Sequence, residues 1–177
     1  MLKQLTQLKN SIKLSKDGAK AAYHAARYNG GLYPSERLVC EVSGIQVYLN
    51  NEFLAANGRL IAVTTVDAFT AIPMILVDSK FLALGPTTRN FIILHEIGHI
   101  QLGHLENGLC SKEENKLRKS YSKKGIAAPN ELAADNYAVK ILGIVSAIHA
   151  LNETNNLVER FMSNRELSIR IKAVSSL

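Results

Sequence analysis

His95-Glu96-Ile97-Gly98-His99 lies inside a longer apolar run, Asn90-Phe91-Ile92-Ile93-Leu94 before it and Ile100-Gln101-Leu102 after it, and this stretch decides the fold. Two histidines four residues apart on an α-helix stand about 40° apart around the axis and roughly 6 Å along it. Both imidazoles can therefore reach a single cation. Glu96, next to the first histidine, points toward the coordination position they leave open. The segment is apolar nearly all round, which predicts a helix buried at the centre of a domain. Two imidazoles and a carboxylate inside such a helix need strong partners, and a metal supplies them. Gly98 costs about 1 kcal/mol relative to alanine in a helix; the return expected is room for a second element to approach closely.

A catalytic zinc takes three protein ligands and leaves a fourth position open to water. His104 is the nearest candidate and the weaker one. It lies about 140° around an ideal helix from His99 and on the opposite side from His95. The stronger candidates lie in Glu131-Leu132-Ala133-Ala134-Asp135-Asn136-Tyr137-Ala138. Glu131 and Asp135 share a helix face. One can ligate the metal while the other accepts the outer N–H of a ligand histidine. Glu131 is favoured as the ligand. Ala133, Ala134 and Ala138 are small enough to let two helices come close.

With both motifs in view, the chain resembles the gluzincin metallopeptidases, in which HExxH is followed by a helix of the form ExxAD/N-x-(F/Y)-A. It is most similar to minimal ImmA/IrrE-type peptidases and to the HtpX-like peptidase domain without its membrane spans. The strong match covers residues 90–104 and 130–141, with looser agreement over 72–89. The resemblance implies one Zn2+ per chain bound by His95, His99 and Glu131, Glu96 as general base, and Asp135 supporting a ligand histidine. It further implies a protein or peptide substrate, with a regulatory protein as one such substrate. Asn164-Arg165-Glu166-Leu167-Ser168-Ile169-Arg170-Ile171 echoes HtpX-like domains weakly, but the His-Pro pair expected before the Arg-Ile is missing. Arg170 receives no role on that basis.

The composition suits a compact soluble enzyme. At 177 residues, 47% of them apolar, the chain is expected to form a single domain over residues 1–177, large enough to bury a core without staples. No run reaches the 18 or so apolar residues of a membrane span, and residues 1–5 do not open a signal peptide. Cys40 and Cys110 sit in neither CxxC nor metal spacing and are expected to be reduced thiols in the cytoplasm. The net charge of +6 is uneven. Residues 1–39 hold seven cations against Asp17 and Glu36; residues 111–124 hold six against Glu113 and Glu114. Ordinary solvated faces are the expected reading. A nucleic-acid partner is disfavoured, since no aromatic interleaving, Gly-rich phosphate loop or recognition helix accompanies the charge.

The remaining pattern predicts an α+β fold: a small, mostly antiparallel sheet packed on a helical core that carries the HExxH helix and a second ExxxD helix. A basic helical segment over about 1–30 carries Leu5, Leu8 and Ile12 on one face. Leu38–Val42, Ile45–Leu49, Leu60–Val66 and Met74–Val77 read as strands, with turns at Ser43-Gly44 and Asn57-Gly58. Helices are expected over 87–103, over Asn130–Ala150 with Asn130 as cap, and as one or two short pieces over 155–175. Either Leu60–Val66 or Met74–Val77 is the edge along which an extended substrate would add a strand. Residues 105–128 are the expected flap.

The chemistry expected is amide hydrolysis, with Glu96 taking a proton from water and returning it to the leaving amine. His104, Tyr121 and Tyr137 are the candidate oxyanion or substrate contacts. His24 and His149 are read as structural. Two other classes remain: a non-catalytic, zinc-stabilised binding or regulatory module, and a nucleic-acid-binding protein using the basic N-terminal helix. Glu96 argues against the first, because a structural zinc has no use for a carboxylate at the open position.

Overall fold

The computed structural model describes residues 37–50, 60–66, 72–104, 116, 120–121, 123–157 and 162–177. The expectations for the basic N-terminal segment, Asn57-Gly58, Cys110, His24 and most of the 105–128 flap lie outside these residues.

Strands β1 (Arg37–Val42) and β2 (Ile45–Leu49) form a hairpin. Its turn residues Ser43 and Gly44 have φ of 52° and 83°, the pair of positive values that lets a two-residue turn follow the strand twist. Strands β3 (Ala62–Val66) and β4 (Pro73–Val77) complete a sheet of order β1-β2-β4-β3. The β1–β2 and β3–β4 pairs are antiparallel and β2–β4 is parallel, so the sheet is mostly antiparallel and the fold is α+β. Of the two edges expected from sequence, Met74–Val77 is ruled out: β4 lies between β2 and β3, and β3 is the edge. Alternation along the strands turns Ile45, Val47, Ile75 and Val77 to one face, where they meet Ile92, Ile93 and Ile97.

The sequence reading missed a short helix, α1 (Ser79–Ala83), between the sheet and the motif helix. Asp78 starts it by accepting the Phe81 N–H at 3.1 Å. Helix α2 (Pro86–Gln101) carries the motif and begins and ends slightly earlier than the 87–103 expected. Its first turn is capped from a distance. Glu153 accepts the Gly85 N–H at 2.9 Å and the Thr88 hydroxyl.

The predicted helix Asn130–Ala150 is two helices, α3 (Pro129–Leu142) and α4 (Ile144–Leu157). Gly143 divides them at φ 84°, ψ 159°, a backbone region essentially confined to glycine. The cap position is Ala128 rather than Asn130, with Pro129 in the first turn. The tail divides likewise: α4 runs on to Leu157, and α5 (Asn164–Ser175) starts where Ser163 accepts the Glu166 N–H at 3.0 Å.

Helix α2 sits between two layers. Ile93 and Ile97 pack on the sheet, while Phe91 packs with Ala138, Ala147, Ala150, Leu151 and Val174 from α3, α4 and α5. That double burial is why its sequence is apolar all round. Each such side chain contributes about 1.5–3 kcal/mol, so the motif turn is clamped from both sides. Among the described residues, no helix is long and apolar enough to cross a membrane.

Candidate metal centre

His95 and His99 project from the same face of α2, and Glu131 meets them from the first turn of α3. The His95 and His99 Nε2 atoms are 3.1 Å apart. Glu131 Oε2 lies 3.3 Å from the first and Oε1 3.8 Å from the second. The three ligand atoms fall within 4.8 Å of one another. Gly98 makes this convergence possible. A Cβ on it would lie 3.2 Å from both Cα and O of Ala134 and 3.1 Å from Tyr137 Cβ. The fully buried Ala134 and Ala138 likewise keep the α3 face low.

The outer nitrogens are also occupied. A carboxylate oxygen can only accept, so His95 Nδ1 donates to Asp135 Oδ1 at 2.9 Å. In the neutral ring this leaves the Nε2 lone pair for a metal. Asp135 is held in turn by Arg170, whose Nε and Nη2 donate to Oδ2 and Oδ1 at 2.7 and 2.5 Å. This fork-to-fork pair is buried, Asp135 being 1% and Arg170 6% exposed. Arg170 therefore has the role that sequence alone did not give it. One signal was available. On α5 it shares a face with Leu167, Ile171 and Val174, an apolar stripe where a solvated arginine would not sit.

His104 is not among the three ligands and does not line the cavity. Its Nδ1 lies 2.9 Å from His99 Nδ1, behind the ring. Helix geometry sets it aside as a ligand, as the structure does, and its place against His99 comes from how α2 ends. Gly103 takes φ 69°. The His104 N–H then bonds back to His99 O at 3.0 Å, and the Gly103 N–H to Ile100 O at 3.2 Å. This is a Schellman turn, which returns the residue after the glycine to the third-last helical residue. For His99 to offer Nε2 to a metal, its Nδ1–H must donate to His104 Nδ1.

Electrostatics fits a cation at this point. Burial lowers the His95 pKa, but hydrogen bonds and charge from Asp135 and Glu131 outweigh it and raise the ring to about 10. Burial and the charge of His95 push His99 down to about 3. These shifts favour the extra ring proton on His95 and a neutral His99. Glu131 lies well below the carboxylate range, because His95, His99 and Arg170 together outweigh its burial. An ionised Glu131, a neutral His99 and a His95 held by a carboxylate are a set of groups that could hold a metal ion.

Glu96 faces the same space. Burial raises its pKa, opposed by His95 and by the Thr64 hydroxyl. Thr64 Oγ1 lies 2.7 Å from Glu96 Oε2 and 2.9 Å from its backbone oxygen, so strand β3 fixes the carboxylate directly. The sequence reading missed Thr64. A polar residue on the inward face of an edge strand was the only hint.

A cavity of about 230 Å³ opens on these groups and is lined by His95, Glu96, His99, Glu131 and Tyr121. Of the three side chains considered as oxyanion or substrate contacts, Tyr121 alone reaches it. Tyr137 packs beside Gly98 and the sheet-side core. His149 is exposed on α4, 3.5 Å from Glu153. Compared with family models, characterised proteins and solved structures, the chain matches none.

Proposed function

We propose that this protein is a zinc-dependent peptidase that hydrolyses a peptide bond in a protein or peptide substrate. The observation that carries the reading is the convergence of His95 Nε2, His99 Nε2 and the Glu131 carboxylate beside Glu96, at the mouth of a cavity bordered by an edge strand. The gluzincin resemblance of both motifs agrees with it.

His95, His99 and Glu131 would hold one Zn2+, which when bound lowers the pKa of water toward neutrality and polarises a carbonyl. Glu96 accepts the water proton and delivers it to the leaving amine. Its buried setting and raised pKa suit a group that must alternate between the two forms. Thr64 keeps that carboxylate aimed. Asp135, locked by Arg170, and His104 fix the two imidazoles in the tautomer with Nε2 inward. Tyr121, on the cavity wall, is the candidate donor to the oxyanion. An extended substrate would lie along β3. Among the described residues Cys40 forms no disulfide, and with only two cysteines in the sequence we place the enzyme in the cytoplasm.

A zinc-structured binding module would not need Glu96, nor a strand residue dedicated to aiming it. The test is a quenched-fluorescent peptide library incubated with zinc-loaded protein and with Glu96→Gln. Cleavage by the first, reduced at least a hundredfold in the second at unchanged zinc content, supports the reading. Equal cleavage by both would contradict it.

A further inference from the structure

The cavity continues beyond the ligand atoms, and its chemistry changes as it does. One turn toward the start of α2 from His95 the wall becomes Phe91 and Ile92. Leu151 of α4 and Met162 close it from the helical layer. These four side chains are 3%, 8%, 2% and 7% exposed. The polar groups used for hydrolysis share the cavity with this apolar wall, and Thr154, three residues along α4 from Leu151, also lines it. Leu60–Thr64, leading into and along edge strand β3, border the same space.

A peptide extended beside β3 alternates its side chains between two faces. If its scissile bond lies at the ligand atoms, a flanking residue turns its side chain toward Phe91, Ile92, Leu151 and Met162. A charged side chain there would lose water and, among the described residues nearest those four, meet little more than the Thr154 hydroxyl. Arg170 also lines the cavity, but two of its N–H groups are already held by Asp135.

We propose that this chamber is a specificity subsite that selects a large apolar residue, leucine-, methionine- or phenylalanine-like, beside the scissile bond. The inference rests on the peptidase reading, and the test separates the two. Full-length protein is loaded with zinc, its metal content is measured, and four small hydroxamates are titrated by calorimetry. Acetohydroxamate reports the metal alone. The 4-methylpentanoyl and 3-phenylpropanoyl hydroxamates add an apolar arm, and succinyl monohydroxamate adds a carboxylate.

Burying a side chain of this size corresponds to roughly 10- to 100-fold in affinity, so the two apolar arms are expected to bind at least tenfold tighter than acetohydroxamate and the carboxylate arm no tighter. Met162→Ala should shrink that preference and leave acetohydroxamate unchanged. Ile92→Val is the milder variant if Met162→Ala does not fold. Zinc-dependent acetohydroxamate binding with equal affinity across the series, or with the carboxylate arm tightest, would overturn the subsite and leave the metal centre standing. Failure to take up zinc at all would overturn both.

Discussion

The two ligand histidines receive the same service from opposite kinds of structure. Each has its outer nitrogen held so that Nε2 faces the Glu131 carboxylate. For His95 the holder is charged, buried and distant in sequence: Asp135 on α3, locked by Arg170 on α5. For His99 it is another imidazole five residues away, brought back by the Schellman turn that ends α2. One support belongs to the tertiary core and the other to local chain geometry. The difference teaches that the first should couple metal binding to global stability, while the second should tune the metal with little effect on the fold.

The largest expected effect lies on the His95 side. Arg170→Met leaves the buried Asp135 carboxylate with His95 as its remaining partner, and since breaking a buried pair costs about 3–5 kcal/mol, a loss toward the lower end is expected. Urea unfolding of the metal-free protein measures it; a loss below about 1 kcal/mol would mean that Asp135 is not truly desolvated. Metal affinity sharpens the contrast. Loss of an outer-shell partner typically costs about 10- to 100-fold, with Asp135→Asn expected at the upper end and His104→Ala at the lower. Competition with a chelating dye reads both. His104→Ala should keep its unfolding free energy within about 0.5 kcal/mol of the unaltered protein, and a drop as large as that of Arg170→Met would erase the distinction.

Gly98→Ala acts on both sides at once. The added methyl meets backbone atoms of α3 that cannot move aside. Overpacking of this sort costs about 1–3 kcal/mol, against about 1 kcal/mol gained in helix propensity. A net loss near 1 kcal/mol with weakened zinc binding is expected, and a more stable variant of unchanged affinity would show that the helices have room to part.

The finest signal is a proton. Without metal, His95 is held protonated, with its pKa raised to about 10. Its contribution to stability is therefore full below the ordinary imidazole value near 6.5 and is lost as the pH rises toward 10. Asp135 is depressed and runs the other way: its contribution is present above about pH 4 and fades as the pH falls through its lowered value. Zinc must displace the His95 proton. Calorimetry at pH 7.5 in two buffers of different ionisation enthalpy should find about one proton released per zinc, and none released would contradict the assigned charge.

How much of this was legible depended on distance along the chain. The motif helix, its burial and the Glu131–Asp135 pair follow from spacings of three and four residues, and the close approach at Gly98 follows from a missing side chain. Arg170 and Thr64 were illegible for a physical reason. Each finds its partner more than 30 residues away, and only tertiary packing makes that choice. Gly143 and Gly103 were visible as glycines. Their consequences, a helix cut in two and a histidine folded back on another, depend on the φ each adopts.

Elemental analysis shows whether His95, His99 and Glu131 hold a metal. The protein would be purified without chelator or histidine tag, beside His99→Ala and Glu131→Ala. About one zinc per folded chain, lost in both variants, is the result this account predicts. A folded, unaltered protein that holds no stoichiometric metal even after zinc is restored would contradict it.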